Sequence, residues 1–176
     1  MEVHSVVEDI AVDVLQYKSI LQNIPDSLFQ QHPPGGGWSY SEVYQHSFDT
    51  GMLAMEAIAL ILNGKGQDGK ITRVGAAILA AGGFPTGIRF KMPEMLAGRL
   101  KKITRSEAKT LMATFEQTLE RMHPALADAP PAMTIAHPRL GAFNAMEWLR
   151  FTQIHLSHHL QQIDRIRMML CASPDN

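Results

Sequence analysis

The chain has 176 residues, 45% apolar and 19% charged, which is about one domain's length with ordinary soluble globular composition. A net charge of -1 with histidines neutral gives no electrostatic case for nucleic acid or an anionic membrane as a partner. The single cysteine, Cys171, excludes an internal disulfide framework and a Cys-based zinc cluster.

The first residues, Met1-Glu2-Val3-His4-Ser5, are not a basic segment followed by an apolar run, so no signal peptide is expected and a reducing, cytoplasmic location is. No apolar stretch approaches the roughly 20 residues a membrane span needs. One domain over 1–176 is expected.

A repeated device marks the helix starts: Ser, Thr or Asn at the cap with Glu three residues on, which satisfies two unpaired backbone donors reciprocally. Ser5-Val6-Val7-Glu8 opens helix 1, from about Val3 to Gln22, with Val3, Val6, Val7, Ile10, Val14 and Leu21 at helical spacing. Ser39-Tyr40-Ser41-Glu42 opens helix 2, from Tyr40 to about Leu62, with Trp38 and Val43 placed as a hydrophobic staple and Asn63-Gly64 as the stop. Thr104-Arg105-Ser106-Glu107 opens helix 3, from Arg105 to about Met122, stopped by Pro124. Asn144-Ala145-Met146-Glu147 opens helix 4, from Ala145 to about Leu170, with Phe143 and Trp148 as the staple and Pro174 beyond its end. No strand pattern competes, so the fold class is all-α.

The connections differ in kind. His32-Pro33-Pro34-Gly35-Gly36-Gly37 is rigid, then flexible, and feeds helix 2. The stretch from Lys65 to Ile103 is long for a loop. A short helix is expected at Thr72 to Ala81, then a turn at Gly82-Gly83-Phe84-Pro85. A connection that long is able to cross the bundle and let helices 2 and 3 run parallel. The segment from His123 to Phe143 is Pro-rich and reads as extended.

The chemistry concentrates in histidines. On a helical wheel, at about 100° per residue, His159 sits about 40° from His155 and Gln162 about -20°, while His158 falls about 60° to the other side. His155 and His159 therefore share one face. With His46 from helix 2, they offer three nitrogen ligands to one divalent metal and leave a position open, as catalytic rather than structural sites do. Gln162 is placed to hydrogen-bond a ligand histidine or a bound water. A helical His pair at this spacing is more often merely solvated or hydrogen-bonded. Leu156 occupies the position where a zincin has its glutamate base, and Gly35-Gly36-Gly37 lacks the Lys and Ser/Thr of a phosphate loop. A triad of Asp26, Ser27 and His32 has no spacing to support it.

Other polar residues have two readings each. Glu42 is explained by its capping box and is a general base only in a minority reading. Arg89 and Lys91 could meet a substrate carboxylate, though a solvated loop is the plainer account. Trp148 reads as core, and so do most of the eleven methionines, with Met52 and Met55 as candidate pocket residues.

Two segments resemble the DinB-like superfamily, the DinB/YfiT-like metalloenzymes. One is Trp38-Ser39-Tyr40-Ser41-Glu42-Val43-Tyr44-Gln45-His46. The other runs from His137-Pro138-Arg139-Leu140-Gly141 through Glu147-Trp148 to His155-Leu156-Ser157-His158-His159-Leu160-Gln161-Gln162. The closing segment is most similar to a branch known only as a domain of unknown function. The resemblance implies an up-down-down-up four-helix bundle with a long helix 2–helix 3 connection. It implies one divalent metal, nickel or zinc, held by His46, His155 and His159. Relatives with known activity include transferases and isomerases dependent on a low-molecular-weight thiol, and relatives often dimerise through helix faces.

Two functions are therefore expected to compete. One is a metal-dependent transferase or hydrolase acting on a small electrophile, with a low-molecular-weight thiol as a candidate co-substrate and its catalytic residues unassigned. The other is a non-catalytic metal- or small-molecule-binding bundle of a stress response. A homodimer is expected as well, because Ala54, Ala57, Ile58, Ala59 and Ile61 nearly circle helix 2.

Overall fold

The structure, a computed structural model, describes residues 3–85 and 98–171. Arg89, Lys91 and Pro174 lie outside the described residues. The elements in chain order are α1 (Val3–Asn23), α2 (Asp26–Phe29), α3 (Tyr40–Leu62), α4 (Arg73–Ala81), α5 (Arg105–Leu126), β1 (Ile135–His137), β2 (Gly141–Phe143) and α6 (Ala145–Cys171). The four long helices α1, α3, α5 and α6 make the bundle.

Their directions follow from which residues meet. Along α1 and α5 the numbering runs in opposite senses. His4 stacks on His123 at 5.8 Å, Lys18 pairs with Glu116, and Arg105 donates to the carbonyls of Leu21 and Ile24. Along α3 and α5 the numbering advances together. The Ser41 hydroxyl bonds both backbone groups of Ile103, and Phe48 packs edge-on against Phe115. Along α3 and α6 it runs oppositely, His46 meeting His155 while Tyr40 lies in electrostatic reach of Asp164 and Arg167. The bundle is thus up-down-down-up. α1 and α3 lie diagonally, each packed on α5 and α6.

Tyr17 spans that diagonal. Its hydroxyl lies 3.0 Å from the Leu156 carbonyl and 3.1 Å from Ser47 Oγ, so it donates to the first and accepts from the second. The Tyr44 hydroxyl in turn donates to the Tyr17 carbonyl at 2.7 Å. Burial leaves both phenols far above their ordinary pKa, so they are neutral struts.

Three of the four capping boxes form. Ser39 with Glu42, Thr104 with Glu107, and Asn144 with Glu147 each exchange the two reciprocal bonds. Ser5 caps nothing. Val3 and His4 are already helical, and the Glu8 carboxylate pairs with His4 at 3.0 Å instead. Nor does Pro124 stop its helix, since α5 continues to Leu126. The ring's fixed φ is itself helical and only one late backbone bond is lost, while Leu126 is buried beyond it.

The crossover holds α4 where a short helix is expected, capped by Thr72 and ended by Gly82 in the left-handed conformation. The segment before α6, read as extended, holds two short strands that no strand pattern in the sequence announces. β1 and β2 form a hairpin pairing Ile135 with Phe143, Ala136 with Ala142 and His137 with Gly141. The crossover is stitched to the same region by single bridges, Gln67 to Thr134 and Ile71 to Gly141. Gly141 has φ +89°, and a Cβ there would sit 2.5 Å from the Lys70 carbonyl oxygen. Only glycine fits.

Four of the five apolar residues that circle α3 (Ala54, Ala57, Ile58 and Ile61) are buried within the chain. Its central place between α5 and α6 accounts for that composition without a second subunit. Among the described residues no helix is long and apolar enough to cross a membrane.

Candidate metal centre

His46 enters from the second turn of α3, which the Ser39–Glu42 box starts at a fixed residue. His155 and His159 enter from the middle of α6, one turn apart, both buried among the core residues of that face. One nitrogen from each of the three rings lies within 4.8 Å of the others. His155 Nε2 is 3.2 Å from His46 Nε2 and 3.2 Å from His159 Nε2. His155 and His159, which helical spacing puts on one face, and His46, which the family resemblance adds to them, are therefore together in space.

Gln162 joins them, its Oε1 lying 2.7 Å from His159 Nδ1. An amide oxygen only accepts, so Nδ1 carries the proton and His159 Nε2 faces the cluster as a lone pair. Burial drives all three pKa values down. His46 falls to about 4, with desolvation dominant and Asp49 opposing it. Desolvation also puts His155 and His159 well below the ordinary value, and each is lowered further by its neighbouring imidazoles. At neutral pH the cluster is three uncharged imidazoles.

That state fits a cation better than it fits itself. A single N–H on His155 Nε2 cannot satisfy both 3.2 Å contacts. Two nitrogens 3.2 Å apart, each roughly 2.1 Å from one ion, would subtend about 100°, between octahedral and tetrahedral angles. An all-imidazole donor set suits zinc or nickel and has nothing to offer the hard oxygen-seeking cations.

The surroundings sort the remaining candidates. His158 stands outside the set, its ring edge-on to Phe84 at 4.9 Å, with its pKa lowered by burial. Glu42 is committed to its cap, Oε2 accepting from the Ser39 backbone and hydroxyl at 2.8 and 2.7 Å. Asp49 is held by Arg99 through two bonds of 2.7 and 2.6 Å. Asp26 pairs with Arg105 and His32 with the Gly37 carbonyl, so no hydrolase triad forms. Trp148 is core, its Nε1 donating to the Ile135 carbonyl. Met55 is fully buried and Met52 packs partly buried on the same core.

Sequence reasoning gave Trp38 and His137 no place at the site. Trp38, read as a staple, packs edge-on against His46 at 4.9 Å and parallel to His159 at 5.9 Å. The pattern Trp-Ser-Tyr-Ser-Glu, an aromatic just ahead of a cap, is the local signal for it. His137 turns the hairpin, its Nδ1 accepting from the backbone N–H groups of Arg139 and Leu140 at 3.2 Å. Its ring lies on Phe151, which lies on His155, and burial lowers its pKa to about 4.

Fold and site together define a helical bundle with a buried three-histidine centre between two antiparallel helices. Residues 16–163 match the DinB superfamily, and the chain belongs to that family. Among solved structures it is similar to YfiT from Bacillus subtilis, described as a probable metal-dependent hydrolase with an unusual four-helix bundle topology. That match has TM-score 0.65 and 16% identity, covering 98% of this chain and 89% of the other. It is also similar to TT2238, described as a four-helix bundle protein, with TM-score 0.60 and 15% identity, covering 93% of this chain and 99% of that one. At such identities the likeness concerns the fold. No curated protein matches the chain in sequence.

Proposed function

We propose that the protein is a divalent-metal-dependent enzyme, a hydrolase or thiol-dependent transferase acting on a small electrophile. One observation carries the reading: three uncharged imidazoles from two helices, two of them buried and His46 partly so, converge on one point with no hydrogen-bonding arrangement that satisfies them all. The description of YfiT as a probable metal-dependent hydrolase supports it.

In this reading His46, His155 and His159 hold zinc or nickel. The bound ion supplies Lewis acidity that brings the pKa of a water or thiol toward neutrality. The chain's own residues do the rest. Gln162 fixes the His159 tautomer with Nε2 facing the centre, and the core packing of α6 holds both of its ligands in register. A low-molecular-weight thiol is the candidate nucleophile and the cytoplasm the candidate location. A homodimer is part of the proposal, supported by Val12 and Leu15, which stand 54% and 61% exposed on one side of α1.

One observation favours a second reading, a non-catalytic metal-binding bundle. Glu42 and Asp49, the carboxylates of α3 on either side of His46, are both engaged elsewhere, so neither stands as a general base. Elemental analysis of untagged protein, purified without a nickel column, tests the metal. Turnover of an electrophile plus thiol that depends on that metal separates enzyme from binder, and light scattering tests the dimer.

A further inference from the structure

Trp38 is the one aromatic residue, among those described and outside the cluster, whose ring contacts cluster histidines on both α3 and α6. It meets His46 edge-on at 4.9 Å and 64°, and His159 face-on at 5.9 Å and 14°. Of the other rings against the cluster, Phe151 touches only His155 and His158 only His159.

The indole is held firmly from both sides. Before it, His32 Nδ1 donates to the Gly37 carbonyl at 2.8 Å, and Gly37 takes φ +107°, which a side chain would resist. After it, fully buried Ser39 exchanges the capping-box bonds with Glu42. The sequence Gly37-Trp38-Ser39 therefore fixes where the indole stands before any ligand arrives.

His46 needs such a wall. A metal-ligating imidazole is ordinarily oriented by a hydrogen bond from its other nitrogen. His159 has one, to Gln162. His46 has none to a described residue: its only hydrogen-bond contact among them is through Nε2, to His155 itself. What else is seen to hold its ring plane is packing, and Trp38 supplies the face from outside the cluster.

We infer that Trp38 is a positioning residue of the metal centre, its indole packing edge-on against His46 in place of the missing hydrogen bond and stacking face-on against His159. This rests on the metal reading above. It gives the residue a role beyond the hydrophobic staple at the start of α3.

The test uses the full chain and Co2+ alone as probe, whose visible absorption reports the number and angles of its ligands. Wild-type protein is expected to take up one equivalent. The Trp38→Ala variant is expected to bind at least about tenfold more weakly, with an altered absorption envelope, in line with losses on removing a ligand's orienting partner. Trp38→Phe, which restores an aromatic face, is expected to recover both affinity and spectrum. A merely structural residue would lower the melting temperature of the metal-free protein and leave the spectrum of the bound ion alone. Unchanged affinity and spectrum in Trp38→Ala, with wild type binding normally, overturns this inference and leaves the metal reading standing. Failure of wild type to bind overturns both. If Trp38→Ala does not fold, Trp38→Leu keeps apolar volume without the aromatic face, and the same two outcomes decide.

Discussion

His159 and Gln162, three residues apart on α6, are joined by a single 2.7 Å bond that decides which nitrogen of the imidazole faces the cluster. With Nδ1 protonated by that contact, Nε2 is left bare beside His155. In the metal reading the amide does the work a carboxylate does at many metal sites, without adding charge. Gln162→Ala should weaken Zn2+ binding by about 10- to 100-fold, the usual loss when a ligand's orienting partner is removed. Gln162→Glu keeps an acceptor at the same place and should bind at least as well as wild type. Competition with a zinc chelator measures both, and an alanine variant with wild-type affinity would show that the tautomer is set elsewhere.

The wheel geometry of α6 gives a sharper test of the metal reading and of the face it assigns. His155→Ala and His159→Ala each remove one of three converging nitrogens and should abolish stoichiometric metal uptake. His158→Ala removes a ring that faces Phe84 and should keep it. Far-UV circular dichroism should be nearly the same in all three, because Leu156, Ile163 and Ile166 anchor the helix. Loss of metal in the His158 variant with retention in the His155 variant would reassign the ligands to the neighbouring face.

The bundle and the histidine cluster were legible in the sequence for local reasons. A capping box fixes a helix start to the residue, and His155 and His159 share a face at any plausible helix boundary. The length of the crossover allowed α3 and α5 to run parallel, and the family resemblance implied that they do. The misreadings have equally local causes. Ser5 resembles a cap, but nothing in the motif says that Val3 and His4 will be helical too. β1 and β2 are three residues each, too short for a period of two to register, and the β2 pairing depends on the conformation of Gly141 and its fit against Lys70. Trp38 is only a staple until α6 is brought beside it, since one of its two ring contacts at the centre is to a residue 121 positions away in the chain.

Burial of the three imidazoles makes the metal-free protein sensitive to acid. The sign follows from their direction. His46 is lowered from 6.5 to about 4, and His155 and His159 lie well below their ordinary value. The unfolded chain therefore takes up protons first, at around its ordinary histidine pKa. Stability is fully present above that value and is lost as pH falls through 6.5 toward 4. At about 1.4 kcal/mol per unit, His46 alone accounts for a loss on the order of 3 kcal/mol, with more from the other two. Denaturant melts of chelator-treated protein should show this fall, and His46→Ala should flatten part of it. A metal-free protein equally stable across that window would mean the imidazoles are not held neutral.

Gly51 and Phe115 set the spacing of α3 against α5, on the turn after the one that bears His46. A Cβ at Gly51 would lie 2.9 Å from Phe115 Cε2 and 3.1 Å from Cδ2. Two effects oppose each other in Gly51→Ala. Helix propensity favours alanine by about 1 kcal/mol. Overpacking a rigid core costs about 1–3 kcal/mol. Phe115 has no room to yield, being fully buried and edge-on to Phe48, so overpacking should win and the melting temperature should fall. Phe115→Leu should cost stability on its own by opening a cavity, yet combined with Gly51→Ala it should cost less than the two separately, since the methyl then occupies space the ring vacated. Additive losses in that double-mutant cycle would place the strain elsewhere. A gain in stability from Gly51→Ala alone would show that α3 and α5 can part by the few tenths of an ångström the methyl needs, and that the helix bearing His46 is less firmly seated than this packing implies.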